Sequence, residues 1–244
     1  MLLTNKNYRK DYTGEKIVTE RKSEGRVWND TYEYIPNAVI NNQISNRAVV
    51  IGNGPSRLKF PIEYLKNPAG LLGADTVQTY GCNALYRDFT PDFLVAAGND
   101  IVNEIASSRY VNTNIVYTSA MHLLEYPSKF YLIPYDPYAD AGTTALYLAA
   151  FDGHKKIYML GFDGQVNPKF NDNVYAGTAG YDAKTADITG NKWTQHRKII
   201  FNTYNDVDFV WVTESGRSLV PELLKSSTNF RQISQRDFVL ECSI

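Results

Sequence analysis

The chain has 244 residues, of which 43% are hydrophobic, and it carries a formal net charge of -1 at pH 7. This length can bury a substantial core, so we expect one large domain, or one domain with an appendage. The near-neutral charge excludes a global basic field that would collect nucleic acid or an anionic membrane, although it leaves a local basic patch open.

The cysteines and the start of the chain bear on the compartment. Cys82 and Cys242 lie far apart and form no metal or redox motif, which favours a reducing compartment. The first residues contain no apolar stretch long enough for a signal peptide, and no apolar run approaches the length of a membrane span. The sequence therefore predicts a cytoplasmic protein without a membrane span.

The first segment, residues 1–46, is polar and has scattered aromatic residues without a clear hydrophobic period. We interpret it as an N-terminal arm that lies over the main domain or over a partner subunit. The main domain then comprises residues 47–244, and the aromatic arm favours a homo-oligomer.

The main domain opens on residues 47–56, whose sequence is RAVVIGNGPS. The apolar, β-branched run from Ala48 to Ile51 predicts a buried strand, which has to end before Pro55. Gly52 and Gly54 let the backbone approach a ligand closely. A strand, a glycine turn and a helix in this order present free backbone N–H groups to a phosphate. The pattern therefore predicts a nucleotide or phosphate site that includes Ser56, with a tight turn that binds no ligand as the alternative.

Strands and helices alternate over the rest of the domain. Further strands are predicted at residues 75–80, 92–97, 114–118, 129–134, 156–160, 208–212 and, as an edge strand, 230–234. Helices are predicted at residues 57–66, where Pro61 delays or interrupts the helix, and at 101–107, 141–151, 193–204 and 219–224. The polar segment 165–191 has no convincing period, and a loop of this length is typical of a lid. The alternation predicts an α/β three-layer sandwich with a mostly parallel sheet.

Ligands of such sheets bind beyond the carboxyl ends of the strands. Small residues and short polar side chains recur at those ends, namely Gly52, Asn53, Gly54, Cys82, Asn83, Gly98, Asn99, Asp100, Gly161 and Asp163. We expect ligand contacts from Asn53, Asn83, Asn99 and Asp163. Each of these side chains could instead cap a turn or a helix.

An ordered set of motifs resembles a known family. GNGPS after the first strand, Cys82–Asn83 after the second, the helix from Ala141–Gly142 and KKIYMLGFD at 155–163 together resemble the bacterial sialyltransferases of glycosyltransferase family 42. They also resemble related Rossmann-like proteins that include archaeal 6-hydroxymethylpterin diphosphokinases. The resemblance extends from Ala48 to Val212, with long unmatched stretches between the motifs. It implies a Rossmann-like, GT-A-like domain with a lid, a cytidine monophosphate sugar as donor, no required metal, and self-association.

Positions of the family's motifs imply roles for single residues. Asn53 and the turn at 52–54 would contact the donor phosphate or ribose, and Asn83 would hydrogen-bond the nucleotide or the sugar. Gly142 would pack against the donor, and Asp163 would contact the ribose or the base of the nucleotide.

Two departures from the family concern the lid. The family has a tyrosine two residues after the Asp163 position, where this chain has Gln165. Tyr175 is the candidate for the family's second lid tyrosine. Arg197, near the base of the lid, could reach a phosphate.

Several residues are candidates for the general base. The resemblance implies a histidine before the helix that follows the lid, and His196 is the nearby histidine, although the predicted helix includes it. His122, after the fourth strand, is another candidate, whereas His154 is predicted to be a surface turn residue. A carboxylate could serve instead, since sugar transfer can use one near its working pH; those available are Asp100, Asp163 and Asp182. The predicted catalytic residues are His196, Asp163 and Tyr175.

Three functions stay open. The leading hypothesis is a metal-independent glycosyltransferase that moves a sugar from a nucleotide-activated donor to an acceptor hydroxyl on a glycan, a lipid, a protein or a modified nucleic-acid base. A diphosphotransferase that uses ATP and Mg²⁺ is the second, with Asp100 and Asp163 as the carboxylates available at the strand ends. The third is a non-catalytic binding module, for which the 18 tyrosines would supply the surface. Asp206 and Asp208 match the metal-binding DxD of many sugar transferases, but they precede a strand, where a turn is expected.

Overall fold

The computed structural model describes residues 15–24, 27–35, 45–66, 77–134, 139–163, 173–182, 190–214 and 220–243. Its strands are β1 (Glu15–Glu24), β2 (Val27–Ile35), β3 (Arg47–Ile51), β4 (Gln78–Cys82), β5 (Phe93–Val95), β6 (Ile115–Thr118), β7 (Tyr131–Leu132), β8 (Lys156–Leu160), β9 (Asp208–Thr213) and β10 (Phe230–Ser234). Its α-helices are α1 (Asn99–Ser107), α2 (Ala120–Glu125), α3 (Ala141–Phe151), α4 (Gly190–Thr203), α5 (Glu222–Lys225) and α6 (Gln235–Cys242).

Eight strands form one sheet in the order β10-β9-β8-β3-β4-β5-β6-β7, and every neighbouring pair is parallel. The chain moves outward from β3 to β7 and then returns through α3 to β8, on the other side of β3. The strand order therefore reverses between β3 and β8, which is the point where open parallel sheets bind their ligands.

Helices cover both faces of this sheet. On one face α3, α4 and α5 pack against the sheet, and Leu146, Phe201 and Leu224 share a core cluster with Trp211 of β9. On the other face α1 and α6 contribute Ile105 and Phe238 to a second cluster. All 11 residues of α3 are buried, which explains why this helix is apolar nearly all round. The predicted three-layer α/β sandwich with a parallel sheet is confirmed.

The arm is more regular than its sequence suggests. Residues that we expected to form an aperiodic arm include the antiparallel hairpin β1–β2, and β1 contacts α2. Polar strands of a two-stranded ribbon need no strict apolar alternation, so the usual strand signal is weak there.

Several predicted elements differ from the structure. The helix expected at 57–66 is wrong: two 3₁₀ helices, Pro55–Lys59 and Ile62–Lys66, flank Pro61, which lacks the N–H that an α-helix would need. Helices α2 and α6 were not predicted. The second strand runs to Cys82 rather than ending at Tyr80, because Gly81 and Cys82 still pair with β5. Within the described residues, no helix is long and apolar enough to cross a membrane.

Candidate functional site

The ends of β3 and β8 meet at the point where the strand order reverses. Gly52 N donates to Leu160 O at 2.7 Å, and Gly54 N donates to Gly161 O at 2.9 Å. A Cβ on Gly52 would lie 2.5 Å from Gly161 O, and a Cβ on Gly54 would lie 2.6 Å from Asp163 Oδ2. The two glycines are therefore required by the close approach of the two strand ends, whether or not a ligand is bound.

Asp163 occupies part of the predicted phosphate site itself. Its Oδ2 accepts a hydrogen bond of 2.7 Å from Ser56 N, and the residue is 4% exposed. The Ser56 N–H of the glycine turn is therefore already bonded to a carboxylate of the same chain. While Asp163 is ionised, its negative charge makes a bound phosphate at this N–H unfavourable. The Ser56 hydroxyl is buried and has no hydrogen-bond partner among the described residues.

Two asparagines tie neighbouring strand ends together. Asn53 Nδ2 donates to Cys82 O at 3.2 Å, and its Oδ1 is buried without a hydrogen-bond partner in the described part of the chain. Asn83 has a left-handed backbone, with φ of 48°, and its Oδ1 accepts from Ala97 N at 2.8 Å. Asn83 therefore caps a turn, which is the alternative to a ligand contact. The Oδ1 atom of Asn53, by contrast, can accept a hydrogen bond from a ligand.

The Cys82 thiol lies in the same region but is inert. Burial, with a smaller contribution from the negative charge of Asp140, raises the pKa of Cys82 to about 12. Its Sγ lies 3.6 Å from Ile51 O. Since the thiolate is the reactive form, this cysteine packs rather than reacts.

The N-terminus of α3 carries a charged cluster. Asp140 caps the helix by accepting from Thr143 N at 3.0 Å. Arg197 reaches across from α4, and its Nε donates to Thr143 Oγ1 at 2.9 Å while its Nη2 lies 3.4 Å from Asp140 Oδ2. The guanidinium lies over the Phe162 ring, 5.2 Å from its centroid. A Cβ on Gly142 would contact Asp140 Oδ1 at 3.1 Å, so Gly142 lies within this cluster.

Residues 173–182, which we call the cover segment, lie over the ends of β3 and β4. Val174 N donates to Asn53 O at 2.8 Å. Tyr175 is 5% exposed, and its hydroxyl accepts from Arg57 Nη2 at 2.9 Å and donates to Asp88 Oδ2 at 2.6 Å. Burial is the main reason why the pKa of Tyr175 is raised well above its usual value. The remainder of the predicted lid, 165–172 and 183–189, with Gln165, lies outside the described residues.

Arg87 holds the same segment from the side. It binds both carboxylate oxygens of Glu104, at 2.8 and 2.5 Å, and donates to Thr178 Oγ1 at 2.8 Å and Ala179 O at 2.9 Å. Tyr181 lies beside the Asn83 side chain, and burial raises its pKa to about 12. The cover segment is therefore folded down onto the candidate site.

Sequence reasoning did not identify four further residues of this site, namely Arg57, Arg87, Asp88 and Asp140. A signal was present for one of them: Asp140 directly precedes the predicted helix, which is the position of an N-cap. The partners of Arg57 and Arg87 in the cover segment are 118 and 91 residues away along the chain, so no local pattern identifies them.

The predicted bases are dispersed. His196 lies on α4, with its ring centroid 6.1 Å from that of Trp193, and Asp163 and Tyr175 are bonded as described above. His122 is 8% exposed on α2, with Nδ1 3.4 Å from Glu125 Oε2. Asn99, Asp100 and Asp182 are exposed.

One expectation away from the site needs correction, whereas the turn expected before β9 at Asp206 is present. The prediction of a surface position for His154 is wrong: the residue is fully buried, with Nε2 2.9 Å from Tyr80 Oη and Nδ1 2.7 Å from Ser45 O. Asp206 and Asp208 lie at the amino end of β9, the edge opposite the candidate site, where they pair with Lys155 and Arg231. Among the described residues, no group of three or more histidine, cysteine, aspartate or glutamate side chains is placed to hold a metal ion.

Comparisons with known proteins give similarity at the level of structure. No protein-family model and no curated protein matches the chain. The chain is similar to the sialyltransferase CstII from Campylobacter jejuni in complex with the substrate analogue CMP-3FNeuAc, with 13% identity and a TM-score of 0.45 over 68% of this chain and 81% of that chain. It is also similar to the monofunctional alpha-2,3-sialyltransferase Cst-I from Campylobacter jejuni, with 14% identity and a TM-score of 0.45 over 75% of this chain and 81% of that chain.

At these identities the similarity concerns the fold alone. Both structures just named are sialyltransferases from Campylobacter jejuni.

Proposed function

We propose that the chain is a glycosyltransferase that moves a sugar from a nucleotide-activated donor to an acceptor hydroxyl and requires no metal ion. The observation that carries the proposal is the buried Oδ1 of Asn53, which has no hydrogen-bond partner among the described residues and lies just beyond the end of β3, beside the end of β4. Buried polar atoms in native structures nearly always have a partner, so one without a partner at a ligand-binding edge favours a bound ligand.

The donor would lie between the turn at 52–54 and the N-terminus of α3. Asn53 Oδ1 would accept a hydrogen bond from an amino or hydroxyl group of the nucleotide. The positive end of the α3 dipole and the Arg197 guanidinium would stabilise the phosphate that departs with the nucleotide. Gly142, in the first turn of α3 and close to Asp140 and Phe162, would pack against the donor.

In the transfer, a base removes the proton of the acceptor hydroxyl while that oxygen bonds to the anomeric carbon. The bond from this carbon to the phosphate oxygen breaks, and the nucleotide leaves with the electron pair. His196, Asp163 and Tyr175 remain the proposed catalytic residues. Of these, Asp163 lies at the strand ends, where its bond to Ser56 N fixes one carboxylate oxygen. The cover segment would exclude water, which would otherwise hydrolyse the donor.

A thermal-shift panel of nucleotides and nucleotide sugars, with and without Mg²⁺, tests the proposal. A ligand that binds only the folded state raises the apparent stability, so we expect stabilisation by a cytidine or uridine nucleotide without metal. The shift should be lost in Asn53→Ala but kept in Asn114→Ala, which removes a comparable side-chain bond to Tyr110 O outside the site. Stabilisation by ATP only with Mg²⁺ would instead support the diphosphotransferase. A panel without any shift would support the binding module and overturn the transferase.

A further inference from the structure

We infer that Arg57 is a positioning residue that keeps the cover segment closed by holding the Tyr175 hydroxyl. The structural part of this inference stands on the contacts of the cover segment, and only its kinetic part rests on the proposed function.

Arg57 is an unusually buried cation for a residue in a turn. It is 3% exposed, follows the glycine turn within the 3₁₀ helix Pro55–Lys59, and lies 3.5 Å from Asp88 Oδ2. Its guanidinium carbon lies 5.5 Å from the centroid of the Tyr175 ring. A buried charge is costly unless it is paired and hydrogen-bonded, so Arg57 depends on Tyr175 and Asp88 for its position.

Tyr175 is fixed at its hydroxyl from both sides. The oxygen accepts from Arg57 and the proton is donated to Asp88, so both functions of the hydroxyl are in use. In this closed arrangement Tyr175 anchors the cover segment. To act on a substrate it would first have to give up one of these two bonds.

The anchor is connected to the candidate site by the backbone. Val174, the neighbour of Tyr175, donates to Asn53 O, and Tyr181 at the far end of the segment lies beside Asn83. Opening of the segment would therefore expose the two asparagines that are predicted to contact the donor. The strength of the Arg57 anchor sets how often this happens, since it stabilises the closed state alone.

Amide hydrogen exchange of the full chain without any ligand measures this opening. Of the amides that are bonded within the segment, three serve as probes, those of Gly177, Thr178 and Tyr181. In Tyr175→Phe and Arg57→Met we expect their exchange to accelerate on the order of 10- to 100-fold, because one or two charge-assisted hydrogen bonds are lost. Arg57→Lys should show an intermediate rate, since it restores the charge but not the planar donor geometry.

Tyr110→Phe is the matched control. It removes a buried tyrosine hydroxyl that has no hydrogen-bond partner among the described residues, and it should leave the exchange of the three amides unchanged. Unchanged exchange in folded Tyr175→Phe, or equal acceleration in Tyr110→Phe, would overturn the inference. Should Arg57→Met fail to fold, Tyr175→Phe decides the question by itself, because it leaves the charge pair of Arg57 and Asp88 intact.

Donor turnover gives a second readout that a purely structural role would not move. An open cover admits water, so the ratio of donor hydrolysis to sugar transfer should rise several-fold in Arg57→Met and be partly restored in Arg57→Lys. A ratio that stays constant while exchange accelerates would overturn the positioning role in catalysis. Absence of any turnover in the wild-type chain would instead count against the proposed function, and the exchange result would still stand.

Discussion

The backbone N–H of Ser56 donates a hydrogen bond of 2.7 Å to Oδ2 of Asp163, which lies 107 residues further along the chain. This bond joins the turn after β3 to the end of β8, the two strands between which the strand order reverses. The same carboxylate lies 2.6 Å from the position that a Cβ on Gly54 would take. The geometry of the candidate site is therefore set by the contact between two distant segments.

Loss of this contact should cost stability. Asp163→Ala leaves the buried Ser56 N–H without its acceptor, and we expect the free energy of unfolding to fall by about 2 kcal/mol, the range for a hydrogen bond to a charged group. Urea denaturation measures the change. Asp206→Ala, which removes a surface ion pair with Lys155, should cost less than about 1 kcal/mol. Equal costs for both variants would contradict the central position of the Asp163 contact.

Gly54 should not tolerate a side chain. In Gly54→Ala the new Cβ would overlap Gly161 O and Asp163 Oδ2, both at 2.6 Å, and the two strand ends would have to separate. We expect a loss of about 2–4 kcal/mol, since backbone in a packed sheet cannot move freely.

Gly98→Ala is the contrasting variant. Gly98 has φ of 92° and ψ of 135°, but nothing lies within 4 Å of its would-be Cβ, so the cost is conformational strain alone, about 1–3 kcal/mol. Thermal unfolding of the two variants should place Gly54→Ala well below Gly98→Ala, and the reverse order would show that the strand ends separate easily.

Stability at acid pH should depend on Glu241. Its two carboxylate oxygens accept from Arg231 at 2.6 and 2.8 Å, and this bond is the main reason why the pKa of Glu241 lies below its usual value of 4.5. A depressed pKa in the folded state means that the stabilisation is complete above about pH 4.5 and is lost as the pH falls through the lowered pKa.

Glu241→Gln should therefore be less stable than the wild type at neutral pH, by about 1–2 kcal/mol. The difference should shrink as the pH falls below about 4.5, because the wild-type carboxylate then becomes neutral as well. Urea denaturation at a series of pH values tests this. Glu222→Gln, whose side chain is 86% exposed beside Lys225, should follow the wild type throughout. A gap between Glu241→Gln and wild type that does not vary with pH would refute the assignment.

The hydrogen bonds of the Tyr80 hydroxyl should stabilise the core of the folded protein. Its hydroxyl donates to Asp152 Oδ2 at 2.6 Å and lies 2.9 Å from His154 Nε2. Tyr80→Phe removes both bonds in the core, and we expect a loss of about 2–3 kcal/mol. Tyr110→Phe should change the free energy of unfolding by less than about 0.5 kcal/mol, since its hydroxyl has no partner in the described part of the chain. Calorimetry of both variants measures the loss in the free energy of unfolding. Equal losses would show that the bonds of Tyr80 contribute little to stability.

Some features follow from the sequence because their signal is local. Continuous apolar runs predict β3, β8 and β9, the all-round apolar character of 141–151 predicts the buried helix α3, and their alternation predicts the parallel sheet. The glycine turn after β3 was also predicted, since two glycines and a proline end a strand whatever surrounds them. Helix α6 was missed, although Ser234 directly before it and Asp237 in its first turn form an N-terminal capping pattern.

The sequence by itself thus determined the fold class, the edge of the sheet that carries the candidate site, and Gly52, Gly54, Asn53 and Asp163 as its residues to test. Only the tertiary structure decided that Asp163 accepts the hydrogen bond of the Ser56 N–H and that His154 is buried. It also decided that Arg57 and Arg87 hold the cover segment. The physical reason is the separation along the chain over which each kind of interaction acts. Periodicity and turn chemistry act between residues a few positions apart, whereas the pairing of a charge depends on which distant segment the folded sheet brings beside it.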